Sequence, residues 1–536
     1  MRRLNLTTSM IVTGDATTGA VSYTGLTSPT ITEIGDNPDV SVASDGVCTF
    51  TALGSGSEVV TVKVQDAAGY FIQGPVTIQG IDTATYMSLG MNIGSVTSYS
   101  TRPFSNMMHC AHTDWTRVSG SGSWSWDKGE VTASVSTDRF SLKLFDGNGN
   151  VGWPSGDFTI RNPDGCKICI GTPGVGSFTT ATSFTQTISP SGSNGVYLYV
   201  EGSLTNISGP LEIIRTDHVT DYDAGNIFAS EFLDWMTALA PSTIRFMDWT
   251  NASGNIETDW TDRTSPTDVT FRRHNASNLS VPYEVCFDLA ERLGANPWIC
   301  IPPRATDDYV TQYATLAASL LPTGKQLYSE IGNELWNFAS AWLKNRNWMR
   351  FLTFTKYTAT ANVGAGTFTL ASHGWSDGQA LIGHMTRENY AAGVSPGSAL
   401  ANGDVTSYVE VVDANTFKLK TAAPPSGSYV SPVTGQVNNI FTKATESGKA
   451  DDNNGNYGRR SLEMWDILDA ELGAANVYRI VGSQASVASV TSGRMVTGMS
   501  ARADAVAVAP YFNGTFWGGQ VQISSGTLTP SVWGFY

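Results

Sequence analysis

Asn333-Glu334 is the pair of side chains in this sequence best placed for proton-transfer chemistry. It follows the strand-like run Gln326-Leu327-Tyr328-Ser329-Glu330-Ile331-Gly332 and precedes Leu335-Trp336-Asn337. A carboxyl at a rigid strand end, beside an amide and an aromatic wall, suits a general acid for a glycosidic oxygen. The competing reading is that Asn-Glu caps the helix that comes next. Arg245 lies in a second strand-like run with Asp248-Trp249 just beyond it, and Tyr511 follows the last such run. Other motif-like stretches are weaker. Asp146-Gly147-Asn148-Gly149-Asn150 has Val151 where a calcium loop needs Gly, so a surface β-turn is expected. Gly171 to Gly176 has the glycines of a phosphate loop without its Lys. Asp451-Asp452-Asn453-Asn454-Gly455 reads as a solvated loop. Cys166 and Cys169 lie in an alternating stretch that turns them to opposite faces, with no second pair to complete a zinc site. No metal and no cofactor are expected.

The elements that must position these residues alternate after residue 225. A helix from Ile227 to Ala238 precedes a strand Thr243–Met247. A helix Pro282–Leu293 precedes a strand Pro297–Ile301. Thr306 caps a helix whose first turn carries Asp307 and Asp308, and the strand Gln326–Glu330 follows. A helix Arg459–Leu472, a strand Val477–Gly482 and a strand Asp504–Pro510 complete the series. With Tyr86–Asn92 this makes six βα strands, the pattern of a (β/α)8 TIM barrel two strands short of closure. The fold class expected is therefore multidomain, α/β and all-β. The expected divisions are a β-sandwich over 1–80 for attachment or spacing, and a first barrel strand region over 85–114. A β-sandwich is inserted at 115–215, with barrel strands two to four over 220–352. A β module is inserted at 353–442, and barrel strands five and six with a tail occupy 455–536.

Composition narrows the function classes. The 536 residues carry 32 basic and 47 acidic side chains, so 32 − 47 = −15, which repels phosphate backbones and argues against nucleic-acid binding. Charged residues are only 15%, while 54 glycines and 15 tryptophans point to a β-rich extracellular or virion-type chain whose aromatic faces suit sugar rings. The basic start Met1-Arg2-Arg3 is followed by no apolar stretch of the secretory kind, and no run approaches membrane-spanning length. Membrane insertion is not expected.

Ile331-Gly332-Asn333-Glu334-Leu335-Trp336-Asn337 resembles the acid/base strand of clan A glycoside hydrolases, where Asn-Glu ends the fourth barrel strand. Arg245-Phe246-Met247-Asp248-Trp249, Asn296-Pro297-Trp298, Ala305 to Val310, Met91-Asn92 through Pro103-Phe104 and Asp504 to Tyr511 are similar to segments of a bacterial cellulose-binding or glycosyl-hydrolase-like group, in the same order. The resemblance covers roughly 85–352 and 455–515. It implies that Glu334 is the general acid/base and that Asn333 binds the hydroxyl next to the reacting carbon. Arg245 and Tyr511 would orient a nucleophile, and Trp298, Trp336, Asp248 and Trp249 would contact substrate. Pro303 stands where that group often has His. The retaining enzymes use a second Glu on the seventh strand. Here the last Glu is Glu471 and the last Asp is Asp504. The nucleophile is thus expected beyond residue 536 or on a partner chain, unless the barrel survives as a sugar-binding relic.

The 353–442 stretch, with its His373-Gly374 turn and Asn415-Thr416-Phe417-Lys418-Leu419 strand, more loosely resembles modules of bacteriophage tail fibres and spikes. That resemblance implies a virion tail appendage acting on host-surface polysaccharide, with other virion proteins as partners and a homotrimer as one assembly. A released or secreted bacterial retaining hydrolase and an inactive sugar-binding virion protein are the alternatives.

Overall fold

The computed structural model describes residues 5–6, 9–13, 18–20, 23–24, 30–34, 40–44, 47–50, 57–67, 71–81, 90–94, 103–111, 115–127, 129–145, 156–171, 177–188, 195–271, 280–386, 398–400, 405–433, 438–485 and 487–508. The chain forms two compact units, Met1–Ser88 and Leu89–Tyr536.

In the first unit Ser57–Gln65 alternates inward and outward side chains, so Val60, Val62 and Val64 fall on one face. They pack with Ile31, Val40, Cys48, Val76 and Ile78 between a four-stranded and a three-stranded sheet.

The second unit is organised around six parallel strands: β1 (Gly90–Asn92), β2 (Thr243–Arg245), β3 (Asn296–Ile301), β4 (Leu327–Ile331), β5 (Val477–Ser483) and β6 (Ala505–Val508). They lie side by side in chain order, forming a parallel half-barrel sheet. The crossovers carry helices α1 (Ser230–Leu239), α2 (Tyr283–Arg292), α3 (Asp307–Leu320), α4 (Ser340–Arg350), α5 (Asn453–Leu472) and α6 (Ala488–Arg494). Ile244, Ile299, Ile301, Ser329 and Ile331 are buried on the helix-facing side of the sheet. The Thr306 hydroxyl accepts from Tyr309 N at 3.2 Å, the cap its sequence implies.

β4 ends at Ile331, and Asn333-Glu334 sits in the turn beyond that strand end and ahead of α4, not at its cap. Asp451–Gly455 is no plain loop. Asp452 is the N-cap of α5, its carboxylate accepting from Gly455 N at 2.8 Å, and the helix begins six residues before Arg459. An acidic cap satisfies the orphan N–H groups of the first turn and offsets two poor helix formers, Asn and Gly. Along α5, Tyr457, Ser461, Met464, Trp465, Leu468 and Leu472 recur at helical spacing and are buried. Arg460 fastens α5 to the start of α3 through Asp307 (2.6 Å) and the Ala305 carbonyl (2.8 Å).

Between β1 and β2, a four-stranded and a three-stranded antiparallel sheet enclose Phe140, Leu142, Phe158, Ile160, Leu198 and Ile213. Asn106 ties this body to the chain leaving β1, its Oδ1 accepting from Met108 N and Ile213 N, each at 3.1 Å. Between α4 and α5 the expected β module is a closed six-stranded antiparallel barrel over Tyr357–Lys443, sealed where Phe368 pairs with Phe417. Closure removes the exposed edges an inserted sheet would otherwise carry. Its core includes Phe368, Trp375, Phe417 and Phe441. The Asp146–Val151 stretch and residues 172–176 of the glycine-rich stretch lie outside the described residues.

Candidate functional site

Strand register decides which side chains meet. Arg245 is opposite Trp298, Trp298 opposite Tyr328, and Cys300 opposite Glu330, all on the face away from the helices. Glu330, 3% exposed, is the hub of this face. Its Oε2 accepts from Arg245 Nη2 at 2.8 Å, Arg245 Nε at 3.2 Å and Trp298 Nε1 at 3.1 Å. The Cys300 thiol stands 3.6 Å away. Burial, followed by the Glu330 charge, pushes that thiol well above its ordinary pKa, so it stays protonated and inert. On the other side a Cβ at Gly482 would stand 2.5 Å from Glu330 Oε1, so β5 has no room there for a side chain. The Arg245 guanidinium also lies 4.9 Å from the Trp298 ring centroid. One arginine is thus fixed by charge, hydrogen bonds and ring face together.

The rim is the turn after β4. Gly332 has φ +54°, and a Cβ there would meet Pro303 Cγ at 2.8 Å, so this position requires glycine. Glu334 adopts φ +48°, a left-handed conformation uncommon for a side chain of its size. Asn333 is held at both ends of its amide. Oδ1 accepts from Arg245 Nη2 at 3.1 Å, and Nδ2 donates to Ser253 Oγ at 3.0 Å. The half-buried Glu334 carboxylate accepts from Asn337 Nδ2 at 2.9 Å, while Asn337 Oδ1 accepts from Ala339 N at 2.9 Å. Asp248 is half-buried beside Arg245; burial raises its carboxyl pKa and the Arg245 charge partly offsets that.

Arg494 closes the wall. It is 1% exposed, donates to the Gly482 carbonyl and to Asn454 Oδ1 (3.3 Å), and lies 3.7 Å from the Tyr457 ring centroid and 4.9 Å from that of Trp336. Burial lowers its pKa, against the pull of Tyr457 and Glu330. Tyr457 accepts from Gly482 N at 3.0 Å, and burial pushes its hydroxyl up to about 12. Arg494 Nη2, and Oδ1 of Asn92, which is opposite Arg245 in register, are among the buried polar atoms with no hydrogen-bond partner among the described residues.

The fold therefore brings Arg245, Asp248, Trp298, Asn333, Glu334 and Trp336 to one end of the sheet. Trp249 stands apart. It is 1% exposed, donates Nε1–H to the Gly94 carbonyl at 3.1 Å, and packs among Phe104, Phe232 and Phe246. A ring so enclosed offers no face to a ligand, which corrects the substrate-contact expectation. Tyr511 lies outside the described residues. Among the described residues the ends of β5 and β6 carry Ser483 and Val508, not a carboxylate. Asp504 is at the opposite end, paired with Arg479 at 3.0 Å, and Glu471 is exposed on α5. No group of three His, Cys, Asp or Glu among the described residues could hold a metal ion.

Sequence reasoning passed over Glu330, Arg494 and Asn337. For Glu330 a signal existed: it is the one charge in an otherwise uncharged strand, two residues from Tyr328 and so on the same face. Arg494 had none, since only the three-dimensional return of α6 brings it to Trp336.

No family model matches this chain, and no curated protein matches it. Among solved structures, the secreted serine protease VesC from Vibrio cholerae aligns at 12% identity and TM-score 0.14, over 40% of this chain and 50% of that one. The SGBP-B protein of the Bacteroides ovatus mixed-linkage glucan utilization locus, in complex with a mixed-linkage heptasaccharide, aligns at 14% identity and TM-score 0.12, over 34% and 57%. A carbohydrate-binding module of the β-sandwich superfamily aligns at 14% identity and TM-score 0.13, over 35% and 82%. This chain thus spans half the length of VesC, and at such TM-scores none of these likenesses carries an argument about the half-barrel or its site. No helix among the described residues is long and apolar enough to cross a membrane.

Proposed function

We propose that this chain engages a glycan at the C-terminal end of the parallel sheet, with Asn333 and Glu334 meeting sugar hydroxyls and Trp298 and Trp336 offering ring faces. The observation that carries the reading is the Asn333 amide, clamped by Arg245 and Ser253 beside a half-buried Glu334. A polar group fixed before the ligand arrives loses little entropy on binding, which suits recognition of a hydroxyl-rich molecule. The setting we favour is a virion tail appendage or another extracellular protein acting on cell-surface polysaccharide. That part rests on the sequence resemblance of 353–442 and on the weakly charged, aromatic-rich composition.

A second reading, hydrolysis, is favoured by the left-handed backbone of Glu334. Strain of this kind costs roughly 1–3 kcal/mol and collects at functional sites. In it, a protonated Glu334 gives its proton to the leaving oxygen and then serves as base toward water. Among the described residues the ends of β5 and β6 supply no nucleophilic carboxylate, and recognition needs none, so binding leads.

The test is a glycan array probed with the wild-type chain and with Glu334→Gln, alongside a reducing-end assay on every glycan bound. Binding by both proteins with no reducing ends released supports recognition without turnover. Release by the wild type alone supports the acid role, and equal release by both proteins refutes it. A wild-type chain that binds no glycan refutes the reading as a whole.

A further inference from the structure

Two residues beyond Trp336 the same turn presents Phe338, 69% exposed, with the Arg346 guanidinium from α4 only 3.8 Å from its ring centroid. A lone exposed phenylalanine is ordinary. This one differs in three respects. One ring face is taken by the guanidinium while most of the ring remains in water. Its backbone neighbour Asn337 is the residue whose amide spans the Glu334 carboxylate and Ala339 N. And the arrangement recurs around the site, with Arg494 beside Trp336 and Arg245 beside Trp298.

We propose that Phe338 is a second aromatic subsite, that Arg346 is the positioning residue behind it, and that the ligand is an extended oligosaccharide or polysaccharide rather than a single sugar. This rests on the glycan reading of the Asn333–Glu334 site. The physical argument is preorganisation. An exposed aromatic ring rotates freely about its side-chain torsions and loses that freedom when a ligand stacks on it. A guanidinium laid on one face restrains the ring beforehand and leaves the opposite face available. The Asn337 amide fixes the same turn from below, so the Glu334 carboxylate and the Phe338 ring are set by one short rigid segment. Glu334 and Phe338 lie at the two ends of this turn, and a ligand engaging both is the extended one proposed.

The experiment is affinity gel electrophoresis in the presence of mixed-linkage glucan, hydroxyethylcellulose, xylan, dextran or polygalacturonate. It compares the wild type with Trp336→Ala, Phe338→Ala, Phe338→Trp and Arg346→Met, followed by titration with short fragments of whichever polymer retards the wild type. Phe338→Ala should raise the dissociation constant for that polymer about two- to tenfold, the range expected for one lost ring stack. It should leave the shortest bound fragment unaffected. Phe338→Trp should restore polymer binding, and Arg346→Met should fall between the wild type and Phe338→Ala. Because Phe338 is mostly exposed, its variants should melt with the wild type, which separates a binding defect from a folding one. Wild-type retardation of Phe338→Ala by the polymer that Trp336→Ala no longer binds overturns the second subsite and leaves the first standing. Failure of every polymer to retard the wild type refutes the glycan reading itself.

Discussion

Glu330 and Glu334 lie four residues apart, yet their surroundings assign them opposite responses to the same substitution. In Glu330→Gln the charge beneath Arg245 disappears while the side-chain shape stays. The pair is nearly enclosed, with side-chain exposures of 4% for Glu330 and 15% for Arg245. Removing one partner of a buried ion pair costs about 3–5 kcal/mol, most of it the charge left behind. The glutamine oxygen can still accept from Arg245 or from Trp298 Nε1, each such bond contributing about 1 kcal/mol net. The expected loss is therefore about 2–3 kcal/mol, equivalent in a unit as large as Leu89–Tyr536 to a melting point lowered by only about 2–4 °C, so the unfolding free energy is the better readout. Glu334→Gln removes a charge from a half-buried rim position where the hydrogen bond from Asn337 can be remade, so its stability change should stay within about 1 kcal/mol. Urea unfolding followed by tryptophan fluorescence, run in parallel on the two variants, reads the difference directly. A Glu330→Gln protein as stable as the wild type would show that Arg245 is neutralised elsewhere and that Glu330 is not the hub of the site.

Two pH-dependent predictions follow from burial. The Asp248 carboxyl has its folded pKa raised above 3.8, so its ionised form opposes folding at neutral pH. Asp248→Asn should stabilise the protein at pH 7, and the gain should vanish as pH falls below 3.8, measured as the difference in unfolding free energy across that window. His109, 6% exposed and stacked on Phe271 with centroids 4.1 Å apart, has its pKa lowered by burial to about 3. It is neutral when folded and protonates below 6.5 when unfolded. Its stabilising contribution is whole above 6.5 and is lost toward pH 3 at up to about 1.4 kcal/mol per pH unit. His109→Phe should weaken the acid sensitivity of unfolding between pH 7 and pH 5 by about 2 kcal/mol, and an unchanged slope would mean that His109 is protonated in the folded chain.

How far the sequence could be read depended on whether a feature is local. The parallel strands were legible because βα alternation is a pattern along the chain, and so was the Thr306 cap, which needs only three residues to act. The start of α5 was not, because Asn and Gly in its first turn argue for a loop and only the Asp452 carboxylate reverses the balance. Trp249 followed the same logic at longer range. Its place after β2 suggests a site residue, but the partners that bury it come from the 104, 228–232 and 246 segments. Closure of the 357–443 barrel depends on Phe368 meeting Phe417, forty-nine positions apart by 417 − 368, and no local period encodes that pairing.

The same distinction explains how the candidate site is built. The groups proposed to meet sugar, Asn333, Glu334, Trp336 and Phe338, all belong to one turn and are visible as a string in the sequence. The groups that hold them come from elsewhere: Arg245 from β2, Arg346 from α4, Arg494 from α6 and Ser253 from the turn after β2. Arginine serves this purpose because its planar guanidinium can hydrogen-bond at the edge while stacking on a ring face, which lysine cannot do. Arg245 does both at once, to Glu330 and to Trp298. A site arranged this way separates affinity from geometry. Substitutions in the turn should weaken ligand contacts directly, whereas substitutions of the arginines should loosen the aromatic rings and weaken binding without removing any group that touches the ligand. Replacement of Arg346 by Lys keeps the charge and loses the planar stack, so it should behave like Arg346→Met and not like the wild type.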